Sequence, residues 1–312
     1  MTETKELPAY MVDFIQTLSA SGRSSATVKQ YSSDLKPFAA WLENRKKIAS
    51  LEDFKSLSSA DVISYLHGQK AKGYTAATIR RHGTVINRLR RFYGLDPLGI
   101  IHLVSEVEPL RKLTEKDFIN DLQLRKLLKS IKAEDIDAVS KAVSRNVLID
   151  RNLAIVFLMR YFGLSPSEIH HLNMTDLNLS QGTLILRGRP VRLKNAYLIP
   201  LRSYIHSIPK LFRPKYNSQQ PVFVAFNNVS MSFQYDYSLG EPKRLSVRAI
   251  QSMLLKEMEK AGLHGLSALH LRNTCILESL NGDQSSEELA THFGLNDVFS
   301  LRRYIEFKNS RE

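Results

Sequence analysis

Cysteine is nearly missing from this chain: Cys275 is the single one among 312 residues. One thiol cannot close an internal disulfide, so no disulfide framework holds the fold. Cys275 falls in a helical apolar pattern and reads as a buried core thiol in a reducing cytoplasm. No apolar run approaches the roughly 18–20 residues of a membrane span. The opening MTETKELPAY lacks the charged-then-apolar layout of a secretion signal, and no repeat or low-complexity tract stands out. Metal-ligand spacing is also lacking. His170 and His171 are adjacent and cannot share a helical face, so no metal or cofactor is expected.

Acid is in short supply as well. Asp and Glu number 31 against 44 Lys and Arg, for a net charge of +13 and a pI near 9.7. That imbalance favours a polyanionic partner, and nucleic acid is the commonest one. Neither a membrane nor a small-molecule substrate is expected as a partner. An apolar fraction of 43% with a mean hydropathy of -0.23 supports real cores, and the length suggests two domains.

The first hundred residues read as helices between short polar breaks. Met11, Ile15 and Leu18 recur at helical spacing, as do Val28, Tyr31, Leu35, Phe38 and Leu42 behind an N-cap at Ser24 or Ser25. Pro37 inside the second stripe predicts a kink or a break. A third helix starts at Ser58 or Ser59 and stops near Gly73. In the fourth, TAATIRRHGTVINRLRRFYGL, Ile79, Ile86, Leu89 and Tyr93 form the buried face. Ala77, Arg80, Arg81, Thr84, Arg88 and Arg91 form a second face with charge of one sign and no acid at i±4. A solvated face normally mixes signs, so this bias points to a DNA groove.

The pattern weakens over 101–116, read as a connector. Beyond it, helices are expected over DFINDLQLRKLLKSI and RNLAIVFLMRYFG. GTLILRGRPVRLKNAYLIPL alternates around a Gly/Pro turn as a β-hairpin would, and PVFVAF could add a strand. Ser246–Ala261, Leu269–Leu280, Glu287–Phe293 and a last segment holding Tyr304 read as helices. Ser165, Pro166 and Glu168 in GLSPSEIHHL make a capping box with proline at the first helical position.

This order of elements resembles the tyrosine-recombinase family, of the phage-integrase and Xer type. The likeness rests on SSATVKQYSSDLKPFAAWL, YTAATIRRHGTVINRLRRFYG, RNLAIVFLMRYFGLSPSEIHHLNMTDLNL, LRNTCILESL and SLRRYIEF, with Arg272 and Tyr304 separated by 32 positions. It implies a mainly α fold: an all-helical, SAM-like core-binding domain at 1–100, the connector, and a catalytic-type domain at 117–312 with a small β-sheet.

In that family a tyrosine hydroxyl attacks a DNA phosphodiester, leaving a 3′-phosphotyrosyl link and a free 5′-hydroxyl. Two arginines clamp the charged transition state, and a hairpin lysine and histidines handle protons. The covalent link conserves the bond energy, so neither ATP nor metal is needed. Carried onto this chain, Tyr304 falls at the nucleophile and Arg272 at the second arginine. Ser165 stands where the first arginine belongs, Leu269 where a histidine belongs, and Leu295 where a His or Trp belongs. His270 is one position off, about 100° round the helix, and Arg160 is about 140° from the missing arginine. Lys194 is the only lysine on the hairpin segment, beside Arg187, Arg189 and Arg192.

The resemblance therefore implies a DNA-binding protein that has lost strand cleavage, a repressor or accessory binder of phage or mobile-element origin. Double-stranded DNA is the expected partner, held through Arg80, Arg81, Thr84, Arg88, Arg91, Arg187, Arg189, Arg192, Lys194 and Arg272, with the two domains closing round the duplex. Self-association on DNA is a further expectation, although only eight residues follow Tyr304, a short tail for helix exchange. The alternative is a divergent, working recombinase that clamps phosphate with other arginines. A third reading keeps the fold as a protein-interaction module.

Overall fold

A computed structural model describes residues 7–23, 25–46, 50–99, 111–133, 139–295 and 298–311. The chain divides into two compact units, Met1–Arg111 and Lys112–Glu312.

The first unit holds α1 (Ala9–Ala20), α2 (Ser25–Lys46), α3 (Leu51–Lys55), α4 (Ser59–Ala71) and α5 (Ala76–Phe92). Met11, Leu35, Phe38, Leu42, Ile86 and Leu89 are buried together, as the apolar spacing predicts. Ser58 caps α4 with Asp61 completing the capping box, and Thr75 caps α5. Two features depart from the sequence reading. Helix α2 runs through Pro37 without a break, one of the two outcomes expected there. Proline removes one backbone donor, and Leu35, Phe38 and Leu42, fully buried on either side, hold the segment helical. Helix α3 was not expected; it is a single turn made by a Ser50–Asp53 capping box with Phe54 in the core.

The described end of the expected connector, 111–116, carries a buried Leu113 and a short 3-10 turn at Glu115–Asp117. Helices α6 (Asp121–Lys132) and α7 (Val139–Phe162) follow, then α8 (Pro166–His171). A three-stranded antiparallel sheet comes next, β1 (Leu177–Asn178), β2 (Thr183–Leu186) and β3 (Arg189–Arg192), in that spatial order. Leu184 and Leu186 face the core while Ile185 is exposed, the alternation of a half-buried strand.

The hairpin ends earlier than its alternating pattern suggests. Residues after Leu193 form α9 (Asn195–Ser207), because Leu198, Leu201 and Ile205 recur at helical spacing and pack on α7. The PVFVAF strand is correspondingly short. Only Phe226 of it lies in a strand, β4 (Phe226–Asn227), paired with β5 (Ser232–Phe233), and Val224 forms an isolated bridge to Arg244. A second small ribbon is made by β6 (Tyr235–Asp236) and β7 (Glu241–Pro242). Four helices close the unit: α10 (Val247–Lys260), α11 (Ala268–Ser279), α12 (Ser286–His292) and α13 (Phe299–Asn309). A smaller buried cluster gathers Cys275, Phe293, Leu301, Tyr304 and Phe307.

Candidate nucleic-acid interface

On α5 the expected Ile79, Ile86 and Leu89 are buried, Val85 joins them, and Tyr93, the fourth residue expected there, is half-buried. Arg81, Arg88 and Arg91 are exposed, and Arg80 and Thr84 are half-buried. The helix carries no acid, yet its arginines are not unopposed, because the acid comes from α2. Arg81 forks onto Asp34, Nε to Oδ2 at 2.7 Å and Nη2 to Oδ1 at 3.0 Å. Asp34 is only 4% exposed, and a buried carboxylate needs such a partner. Gln30 also donates to Asp34, at 2.9 Å. Arg88 lies over the Tyr31 ring at 5.5 Å and donates to its hydroxyl. Thus part of this basic face also fastens α5 to α2.

In the second unit three of the candidate positions, Ser165, Arg187 and Arg272, converge on Glu168. Ser165 is the N-cap of α8: its backbone N–H and its hydroxyl both donate to Glu168 Oε2 at 2.7 Å, and its Oγ accepts from the Glu168 N–H at 3.2 Å. Arg272 of α11 donates through Nη1 to the same Oε2 at 2.7 Å and to the Gly163 carbonyl at 2.7 Å. Its Nη2 donates to the Phe293 carbonyl at 2.5 Å. Arg187, at the tip of the β2–β3 hairpin, donates through Nε to the other carboxylate oxygen, Oε1, at 2.6 Å, and also donates to the His292 carbonyl.

Two guanidiniums and a capping serine therefore share one carboxylate. Burial alone would raise the Glu168 carboxyl. The Ser165 hydrogen bonds and the Arg187 and Arg272 charges outweigh it and hold the group below its ordinary pKa. Burial lowers the Arg187 guanidinium and also the His292 imidazole, the latter with help from the Arg187 and Arg189 charges.

Tyr304 lies in the neighbouring buried cluster, 6% exposed, and its phenol donates to Asn273 Oδ1 at 2.7 Å. Burial raises its pKa, away from the phenolate a nucleophile needs. Arg160 reaches neither group; it forks onto Glu278 of α11 at 2.7 and 2.5 Å. Leu269 is exposed on the first turn of α11, and Leu295 is half-buried against the Tyr304 cluster. His270 caps α11 instead, its Nδ1 accepting from the Ser267 N–H at 3.0 Å. Arg189 and Arg192 are exposed on β3, and Lys194 is exposed as the N-cap of α9, without a side-chain capping bond.

Glu168, Asn273 and Asp34 are the residues that sequence reasoning missed. Glu168 was visible only as a capping acid. Its second role depends on a hairpin and a helix that reach it from 19 and 104 positions away. Among the described residues no three His, Cys, Asp or Glu side chains gather as a metal ion would require. No helix there is long and apolar enough to cross a membrane.

Residues 11–94 match the family model of the phage integrase, N-terminal SAM-like domain. The chain is 25% identical to tyrosine recombinase XerD of Oceanobacillus iheyensis over 284 residues, covering 87% of this chain and 89% of the relative. It is 24% identical to tyrosine recombinase XerC of Bacillus pumilus over 304 residues, covering 96% and 92%. The fold is similar to the Tn1549 transposon integrase in complex with transposon right end DNA, with a TM-score of 0.65 at 16% identity over 95% of this chain and 94% of that one. It is likewise similar to the XerH site-specific recombinase bound to palindromic difH substrate, with a TM-score of 0.64 at 16% identity over 96% and 81%.

Proposed function

The chain belongs to the tyrosine-recombinase family, and we propose that within it this protein binds double-stranded DNA without cutting it. The observation that carries this reading is Ser165. It stands where the family keeps its first phosphate-clamping arginine, and its hydroxyl and N–H are both bonded within the cap to Glu168. A serine offers the transition state no cationic fork. Loss of one oriented donor costs about 10²–10³ in rate, and loss of a phosphoryl-clamping arginine about 10³–10⁵. The Tyr304 phenol, bonded to Asn273, supports the same conclusion from the nucleophile's side.

Binding without cleavage suits a sequence-specific repressor or an accessory protein at a recombination site, of phage or mobile-element origin, working in the cytoplasm on the nucleoid. In this role 1–100 is the core-binding domain, 101–116 the connector and 117–312 the degenerate catalytic-type domain. Copies of the protein associate on DNA.

A divergent but working recombinase is the second reading, and one observation favours it: Arg187 reaches Glu168 beside Arg272. Mapping bound DNA across a genome supplies the site, and a nicked suicide duplex bearing that site decides between the readings. No covalent adduct is expected. An adduct that disappears in Tyr304→Phe would establish the working enzyme and refute the binder.

A further inference from the structure

We propose that Arg151 and Tyr204 hold a small monovalent anion, of chloride size, inside the second unit. The site shares no residue with the Glu168 cluster or with the expected DNA contacts.

Arg151 sits midway along α7 and is 6% exposed. A guanidinium carries five N–H donors, and burying its charge is unfavourable unless acceptors answer it. Arg151 turns Nε and Nη2 onto one neutral acceptor, Asn152 Oδ1, at 3.2 and 3.1 Å. Among the described residues no carboxylate or backbone carbonyl meets its remaining N–H groups. Asp150, the nearest acid in sequence, is half-buried and does not turn toward it. Burial raises the Asp150 carboxyl, with no cation to hold it down.

Two other arginines buried among the described residues are matched within the chain. Arg160 forks onto Glu278 at 2.7 and 2.5 Å. Arg90 donates to the Asp96 and Leu57 carbonyls at 2.8 and 3.5 Å, and the Asp96 charge supports it. At Arg151 burial lowers the guanidinium and no carboxylate counters it.

Tyr204 supplies the second donor. Helix α9 packs on α7 and places Tyr204 in the core, fully buried. Its hydroxyl oxygen accepts from the Val224 N–H at 2.9 Å, and its own proton meets no acceptor among the described residues. Burial pushes the phenol up to about 12, and the Arg151 charge works against that rise, as a nearby cation does. The ring stacks on Phe223 at 5.7 Å and lies 6.5 Å from Phe233. Such apolar walls strengthen any charge interaction between them.

The chemistry of the donors selects the ligand. N–H and O–H groups attract an anion and repel a cation. One guanidinium charge calls for one negative charge. With Arg151 almost closed off and Tyr204 fully so, a nucleotide phosphate or a partner's side chain is too large to enter. An aspartate at 152 would balance the charge within the chain, and asparagine leaves that task to an ion from solution.

The test is thermal unfolding of the full chain, with chloride exchanged for gluconate at fixed ionic strength. Generic salt effects act on all variants alike. The wild-type midpoint should rise saturably with chloride, by roughly 3–6 °C at about ten times the dissociation constant. Asn152→Asp should unfold above wild type in gluconate and ignore chloride, because its carboxylate takes the anion's place. Tyr204→Phe should need roughly tenfold more chloride for the same rise, as loss of a hydrogen bond to an ion does.

A wild-type midpoint indifferent to the exchange overturns the proposal. So does an equal chloride response in Asn152→Asp, which would put the ion elsewhere. A Tyr204→Phe response identical to wild type overturns the pairing of the two donors. If Asn152→Asp fails to fold, Arg151→Met decides instead: a lost chloride response supports the site, and a retained one overturns it.

Discussion

Tyr304 donates its phenolic proton to Asn273, the residue that follows Arg272 on α11, at 2.7 Å. Asn273 is itself fixed, its Nδ2 donating to the Asp117 carbonyl at 3.0 Å, and both side chains are buried. The bond ties α13 to α11 inside the core. Tyr304→Phe should therefore cost about 1–2 kcal/mol, since Asn273 Oδ1 loses its donor in a dry setting. Affinity for duplex DNA should not change. Chemical denaturation and a binding titration on the same variant check both halves. A variant of unchanged stability would mean that the phenol does not hold this bond in solution.

Glu168 makes the second unit sensitive to acid. Burial pushes its carboxyl up, but the Ser165 hydrogen bonds and the two arginines bring it below its ordinary value. A carboxyl depressed by folding contributes its full stability above its unfolded pKa of about 4.3. That contribution fades as pH falls through the lower folded value. Unfolding midpoints measured downward from about pH 5 should thus fall more steeply for wild type than for Glu168→Gln. Parallel curves would show that Glu168 is not paired in this way.

The helices were legible because burial imposes a period. Leu35, Phe38 and Leu42 on α2, and Ile79, Ile86 and Leu89 on α5, are spaced by the helix and sit in the core. The cap at Ser165 was legible for a related reason, since its partners lie within one turn. What could not be read was any partnership across sequence distance. Arg81 and Asp34 are 47 positions apart, and Arg187 and Glu168 meet only because a turn aims one at the other. The α9 segment misled because Tyr197 and Ile199 mimic a strand's alternation. Only packing on α7 shows that the helical set, Leu198, Leu201 and Ile205, is the buried one.

Gly163 links the core to the Arg272–Glu168 cluster. Its φ is +63°, and a Cβ would lie 2.4 Å from Phe293 Cε1, on a ring that is fully buried. Its carbonyl also accepts from Arg272 at 2.7 Å. Gly163→Ala should cost about 2–4 kcal/mol, combining left-handed strain with overpacking. Gly73→Ala is the control: φ is +84° there, but nothing lies within 4 Å of the added carbon. It should lose only about 1–2 kcal/mol, the backbone component. Equal losses in the two variants would show that the Phe293 contact does not matter.

Arg81 and Arg91 separate stability from binding on α5. Both are exposed, but only Arg81 forks onto the buried Asp34. Arg81→Ala strands that carboxylate and should destabilise the first unit by about 1–3 kcal/mol, allowing for screening of a guanidinium open to solvent. Asp34→Asn should relieve much of the loss, since a neutral amide tolerates burial better than an unpaired charge. Arg91→Ala should leave the unfolding midpoint where it is. If α5 lies against DNA, Arg91→Ala should instead weaken binding across all sequences and lower the salt slope by about 1. A full set of midpoints and salt slopes for the three variants distinguishes these outcomes. Unaltered binding in Arg91→Ala would turn the exposed face of α5 away from the phosphate backbone.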